Sequence, residues 1–384
     1  MCSKKCQGVD VKKNVVFAGA CNPYRKLTKK AKDTSALVKE GSAISDQKLV
    51  YTVNPLTYTQ LYYIFNFGSL SAENEKKYIT GIVEAEINDY VNNKNILNKI
   101  KQIMIDTFTT AQSFIKEKNG KESVSMRETR KFMTIYKFLI KDFGRKKAIS
   151  DFMFNKSEFK NSINIDEDYN FYSNKNEFLA QKYSIATAIY ICFYIRLSDS
   201  KDKNDFEQEM NNLLELNFNE YPMQLQDELI RNIKLDKGIA PNESLRLNLF
   251  ICFIGILTRI SVFLVGPPGC SKTLCFNLLK REMKGYHSKS KFWQQYPQLV
   301  VTSYQGSLTS TSKGIIDTFK DAEKKLKDYM TGKNKKTKKD VKGKTNENIE
   351  EVKEKDNDNN IDKGIIVCVF IDEIGLCEIS PYNP

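Results

Sequence analysis

The run Gly266-Pro267-Pro268-Gly269-Cys270-Ser271-Lys272-Thr273 spaces two glycines, a lysine and a hydroxyl as a polyphosphate site would need them. Several backbone N–H groups must converge on one point, so the chain has to bend tightly with little side-chain bulk, and Gly266 and Gly269 supply that freedom. A helix that follows aims its unpaired N–H groups at the same anion. Lys272 would then reach the β and γ phosphates, and the Thr273 hydroxyl would hold Mg²⁺, making ATP with Mg²⁺ the expected ligand. Ser271 stands where the last glycine of the G-x-x-x-x-G-K-[ST] pattern belongs. Its amide can still donate, but its Cβ is expected to crowd the β-phosphate. The same eight residues also fit an ordinary strand-to-helix turn.

A second group of chemistry-bearing residues lies farther on. Ile365-Ile366-Val367-Cys368-Val369-Phe370-Ile371 is apolar at every position, the pattern of a strand buried on both faces of a parallel sheet, and it ends in Asp372-Glu373. Carboxylates at such a tip are costly unless a cation meets them. In a nucleotide site Asp372 would orient the metal and Glu373 would polarise the attacking water. Without a ligand the same residues would be a strand running out into a solvated acidic turn.

The elements that must position these groups alternate as an α/β nucleotide domain requires. Val262-Phe263-Leu264-Val265 reads as the strand entering the loop, and Thr273 to Met283 places Leu274, Leu278 and Leu279 at helical spacing. Leu299 to Tyr304 reads as a strand, Lys313 to Tyr329 as a second helix, and the acidic strand follows. From about Gly332 to Asp362 the chain is rich in Lys, Glu, Asp and Asn with almost no apolar residue, so it is expected to be a disordered insertion that lengthens the gap from Lys272 to Asp372.

Toward the amino terminus, Val15 to Ala20 is another buried-strand pattern, delivering Cys21-Asn22-Pro23 to its carboxyl edge. Asn22 there could hold a water or feel a γ-phosphate; Asn-Pro is equally a plain turn signal. Ser125-Met126-Arg127-Glu128 matches a capping box ahead of an apolar face of Phe132, Ile135, Tyr136 and Leu139. Arg127 would open that helix, either to meet a phosphate or as a solvated arginine.

Taken in order, Ala20 to Arg25, Leu49 to Leu56, Phe67 to Ser71, Gly266 to Thr273, Gly314 to Phe319 and Ile371 to Leu376 resemble the mysterin family, giant AAA+ ring-finger E3 ubiquitin ligases, over nearly the whole chain. The resemblance implies an α/β fold of P-loop AAA+ modules, each a parallel sheet with flanking helices, plus an α-helical lid. It implies that Asn22 is a sensor-1 and Arg127 a sensor-2 position of one module. Lys272, Thr273, Asp372 and Glu373 are then Walker A and Walker B positions of the next, with Lys272 and Glu373 catalytic and Thr273 and Asp372 at the metal. A serine at position 271 is by that likeness a family trait. Residues 1–160 would be the back half of one module, 161–244 the rest of its lid and a linker, and 245–384 the front half of the following module. The chain is therefore expected to be part of a longer protein. Its partners would be ATP, neighbouring AAA+ modules, and ubiquitin machinery reached through regions outside this chain.

Bulk properties fit two globular cores: 384 residues with 41% hydrophobic content. The formal charge of +13 invites a nucleic-acid reading, but the lysine-dense insertion is not interleaved with aromatics on a folded face, so no specific nucleic acid is expected. Nine cysteines, an odd number scattered through apolar runs, fit reduced thiols and a cytoplasmic protein. Cys2 and Cys6 have no nearby ligands to complete a zinc site, and the single His287 argues against histidine-based nucleophilic catalysis. No apolar segment follows Met1 to Lys5 as a signal would require. Leu249 to Val265 contains Arg259 and reads as helix plus strand, so no transmembrane segment is expected. Mg²⁺-dependent ATP hydrolysis is the expected reaction. The alternatives are a nucleotide-binding scaffold or switch without turnover, and a dynein- or midasin-like motor segment.

Overall fold

The computed structural model describes residues 5–6, 9–10, 25–26, 49–51, 65, 70–91, 94–120, 123–143, 174–330 and 364–376. They fall into two compact units, Met1–Glu75 and Lys76–Pro384. In the first, β1 (Lys5–Cys6) pairs antiparallel with β2 (Val9–Asp10), and β3 (Arg25–Lys26) with β4 (Leu49–Tyr51). Asn22, the strand expected at Val15 to Ala20 and the charged stretch after Gly332 lie outside the described residues.

A helical body follows: α1 (Ala72–Glu86), whose first four residues precede the division after Glu75, then α2 (Lys94–Asn119), α3 (Arg127–Phe138), α4 (Asn174–Cys192), α5 (Ser200–Leu214) and α6 (Glu220–Arg231) in the second unit. Tyr183, Ile185, Ala186, Ala188 and Ile189 are all buried, as are Ser184 and Thr187, whose hydroxyls donate to carbonyls of the helix itself, so this stretch of α4 is covered on every side. The window Glu177–Arg196 is apolar and long enough to cross a membrane, but 78% of it is already buried inside the unit. α2, α3, α5 and α6 pack around it. Phe108 sits 5.2 Å from both Phe132 and Phe193, and Phe206 lies 5.7 Å from Phe218. Each such ring removed from water stabilises by about 1.5–3 kcal/mol. The buried Gln181 is satisfied by accepting from the Tyr136 hydroxyl and donating to the Tyr90 carbonyl at 2.7 Å.

The same unit continues without a break into α7 (Glu243–Thr258), α8 (Lys272–Glu282), α9 (Lys291–Gln294), β5 (Gln298–Gln305), α10 (Ser312–Met330) and β6 (Ile365–Asp372). α8, β5, α10 and β6 match the helices and strands read from the pattern to within a residue or so at each end, whereas α7 starts six residues before the apolar run at Leu249 and α9 answers to no element read there. β5 and β6 run parallel in one register, from Gln298 opposite Ile365 to Gln305 opposite Asp372. Phe370 stacks on Phe276 of α8 at 4.0 Å, and Lys325 of α10 donates to Thr302 at 3.1 Å. Phe370 pairs with Ser303, the residue next to Thr302, and neighbouring residues point to opposite faces, so α8 and α10 cover opposite sides of the sheet.

Two expectations are corrected. Val262 to Val265 belongs to no strand: it pairs with no neighbour among the described residues, and Phe263 and Val265 are 78% and 76% exposed. β6 is half-buried along its whole length instead of buried on both faces. Both follow from a two-stranded sheet, in which β6 has β5 on one edge and no described strand on the other.

The helical body and the sheet part are tied through the connection from α6 to α7. The Trp293 indole, fully buried, donates to the Asn232 carbonyl at 2.7 Å. Arg281, in the last turn of α8, donates to the Lys234 carbonyl and meets the Asp236 carboxylate at 3.1 Å.

Candidate functional site

The site begins with how α7 starts and stops. Asn242 caps it, accepting from the Leu245 amide at 2.8 Å. At the other end Arg259 turns left-handed (φ 58°), and the Ile260 amide closes back on the Gly255 carbonyl at 2.9 Å. The chain then doubles back so closely that a Cβ on Gly255 would lie 2.3 Å from a Val262 methyl. This return brings the loop at 266–271 to the first turns of α7, where the Asn248 amide and Ser244 hydroxyl donate to the Cys270 carbonyl at 2.8 and 3.2 Å. Sequence reasoning missed both side chains. The available signal was two polar residues one turn apart on the helix that precedes the loop.

Within the loop Gly269 has φ 85° and Ser271 φ 57°, and α8 starts at the next residue. Ser271 therefore holds the left-handed conformation that a glycine adopts freely and another residue reaches at a cost of about 1–2 kcal/mol. The preference for glycine at this place has a backbone cause in addition to any crowding of a phosphate. The Lys272 ammonium curls over the loop, donating to the Gly266 and Pro267 carbonyls, both at 2.8 Å. An ammonium has three N–H donors, so one is left for a phosphate oxygen. Pro267 and Pro268 are exposed, and Cys270 is half-buried.

The acidic tip arrives beside this loop. The Thr273 hydroxyl lies 3.1 and 3.2 Å from the two Asp372 carboxylate oxygens. The stacked Phe276 and Phe370, one turn and two residues behind them, hold α8 against β6. Glu373 is exposed and left-handed (φ 51°), and its amide donates to Asp372 Oδ1 at 3.1 Å. The Gly306 amide, just past β5, donates to the Asp372 carbonyl at 2.8 Å. A hydroxyl and a carboxylate side by side, with a lysine at the same helix end, form the hard oxygen set that suits Mg²⁺ beside a phosphate.

Arg127 opens α3 as expected and is exposed, but only half of the capping box forms. The Ser125 hydroxyl accepts from the Arg127 amide at 3.3 Å, whereas Glu128 turns away to Arg196 at 3.0 Å and Lys131 at 3.4 Å. A buried carboxylate gains more from two cations than from one exposed amide. Among the described residues no hydrogen bond or ion pair joins Arg127 to the loop.

Residues 238–342 match the family model of the RNF213 AAA domain. The whole chain is 25% identical over 404 aligned positions to E3 ubiquitin-protein ligase rnf213-beta of Danio rerio, covering 7% of that protein. It is 24% identical to E3 ubiquitin-protein ligase RNF213 of Homo sapiens and 25% identical to that of Mus musculus, each across 95% of this chain and 6% of the relative. The chain thus spans well under a tenth of the length of these relatives.

Proposed function

We propose that this chain, a segment of the RNF213 (mysterin) type carrying an AAA domain, binds ATP with Mg²⁺ at the 266–273 loop and hydrolyses it as part of a larger AAA+ ubiquitin ligase. The observation that carries the reading is the meeting of Thr273 with Asp372, which joins the two motifs read separately from the sequence. The loop amides and Lys272 bind the β and γ phosphates, and the α8 N-terminus adds its partial positive charge. Thr273 and Asp372 would hold Mg²⁺, which when bound neutralises charge building on the phosphate oxygens. Glu373 accepts a proton from water as its oxygen bonds to the γ-phosphorus and the bond to the bridging oxygen breaks. Ligase activity belongs to regions beyond this chain, and neighbouring AAA+ modules complete the site. Cys192, Cys252 and Cys275 are buried free thiols, which supports a reducing, cytoplasmic setting.

The test is equilibrium binding of labelled ATP to the intact protein and to its Lys272→Ala form, followed by phosphate release from Glu373→Gln. Loss of one saturable site in Lys272→Ala, with retained binding but lower turnover in Glu373→Gln, is the expected result. Binding unchanged by Lys272→Ala sinks the reading; turnover unchanged by Glu373→Gln leaves a nucleotide-binding switch.

A further inference from the structure

We propose that Gly306 is a positioning residue for the acidic tip, setting where Asp372 and Glu373 stand relative to the phosphate loop. The proposal rests on the nucleotide reading above, and Gly306 itself touches neither the loop nor its ligand.

Gly306 follows β5, is buried, and has an ordinary negative-φ backbone, so conformational freedom is not why a glycine is there. Space is. A Cβ at this position would stand 2.3 Å from the Glu373 carbonyl oxygen, 2.8 Å from its carbon and 3.2 Å from the Asp372 carbonyl oxygen. All three are main-chain atoms, so no rotamer change relieves the contact. The opposing backbone is also committed: the Gly306 amide bonds to the Asp372 carbonyl, and Glu373 is already held left-handed. A single methyl must therefore move the tip bodily, by about 1 Å if the usual carbon–oxygen spacing is to be restored. The Asp372 carboxylate, now 3.1 Å from the Thr273 hydroxyl, moves with it, and so does the Glu373 side chain. The phosphate loop is held from α7 and α8, not from β5, so the lysine and the loop amides stay in place. The geometry separates two properties: grip on the nucleotide alone, and the gain that Mg²⁺ adds to it.

The experiment compares the intact protein with its Gly306→Ala form, taking the share of labelled-ATP binding lost in Lys272→Ala as this site's contribution. Gly81→Ala serves as a control, since a Cβ at Gly81 meets nothing within 4 Å. In EDTA, Gly306→Ala should bind ATP within about twofold of the parent. The further affinity gained on adding Mg²⁺ should fall by about tenfold or more, and any turnover at saturating ATP should fall by about ten- to a hundredfold, the usual effect of a 1 Å displacement. Equal Mg²⁺ gain and equal turnover in the two proteins overturn the proposal. A parent with no Lys272-dependent binding overturns the nucleotide reading instead. Should Gly306→Ala fail to fold, hydrogen exchange of the Gly306 amide in the parent decides. It should slow on adding ATP with Mg²⁺ but not ATP with EDTA, and the absence of that difference counts against Gly306.

Discussion

Thr273 and Asp372 are 99 residues apart in the chain and 3.1 Å apart across the top of the sheet. Replacing Thr273 with Val keeps the shape and removes the hydroxyl. The expected outcome is loss of most of the Mg²⁺-dependent gain in ATP affinity, about tenfold, with Mg²⁺-free binding little changed. Calorimetry with and without the metal checks it; equal gains in both forms would place the metal elsewhere.

Ser271 carries a conformational cost that a glycine there would not. Ser271→Gly should be neutral or stabilising by up to about 1 kcal/mol, because relief of left-handed strain outweighs the extra freedom of the unfolded chain. Ser271→Val, β-branched at φ 57°, should lose about 2 kcal/mol. Denaturant midpoints of the three forms provide the comparison, and a Val form as stable as the parent would be inconsistent with the left-handed turn.

The loop, the acidic strand and the helices between them were legible because each obeys a local rule: glycine spacing, unbroken apolar runs, and period-3.6 apolar stripes. What escaped notice depends on tertiary return of the chain. Asn248 and Ser244 look like ordinary helix polar residues until Gly255 lets the chain come back beside them. The strand expected at Val262 to Val265 failed for a complementary reason, since an apolar extended segment becomes a strand only when a partner edge is present. Glu128 was misread as the second half of a cap because Arg196, far along the chain, competes for it.

Asn248 and Ser244 hold the loop by the same carbonyl. Replacing both with Ala leaves the Cys270 carbonyl without these donors and should cost about 1–3 kcal/mol of stability. ATP affinity should fall several-fold more than in either single form, because one remaining donor still anchors the loop. Additive, nucleotide-independent losses would show that the clasp is structural alone.

Burial raises the Cys192 thiol from 9.0 to about 12. Between those values the unfolded chain releases a proton that the folded chain keeps, so stability falls as the pH rises above 9. Urea midpoints measured from pH 8 to 10.5 should decline, and the decline should be shallower in Cys192→Ala. Parallel slopes in the two proteins would mean that other groups dominate the alkaline loss.

The helix that starts at Lys272 carries, about 13 Å farther on, Arg281, which is fastened to the connection between α6 and α7. The Trp293 indole bonds to that same connection at Asn232. One straight segment of 11 residues therefore joins the end that carries Lys272 and Thr273 to the chain that leads out of the helical body.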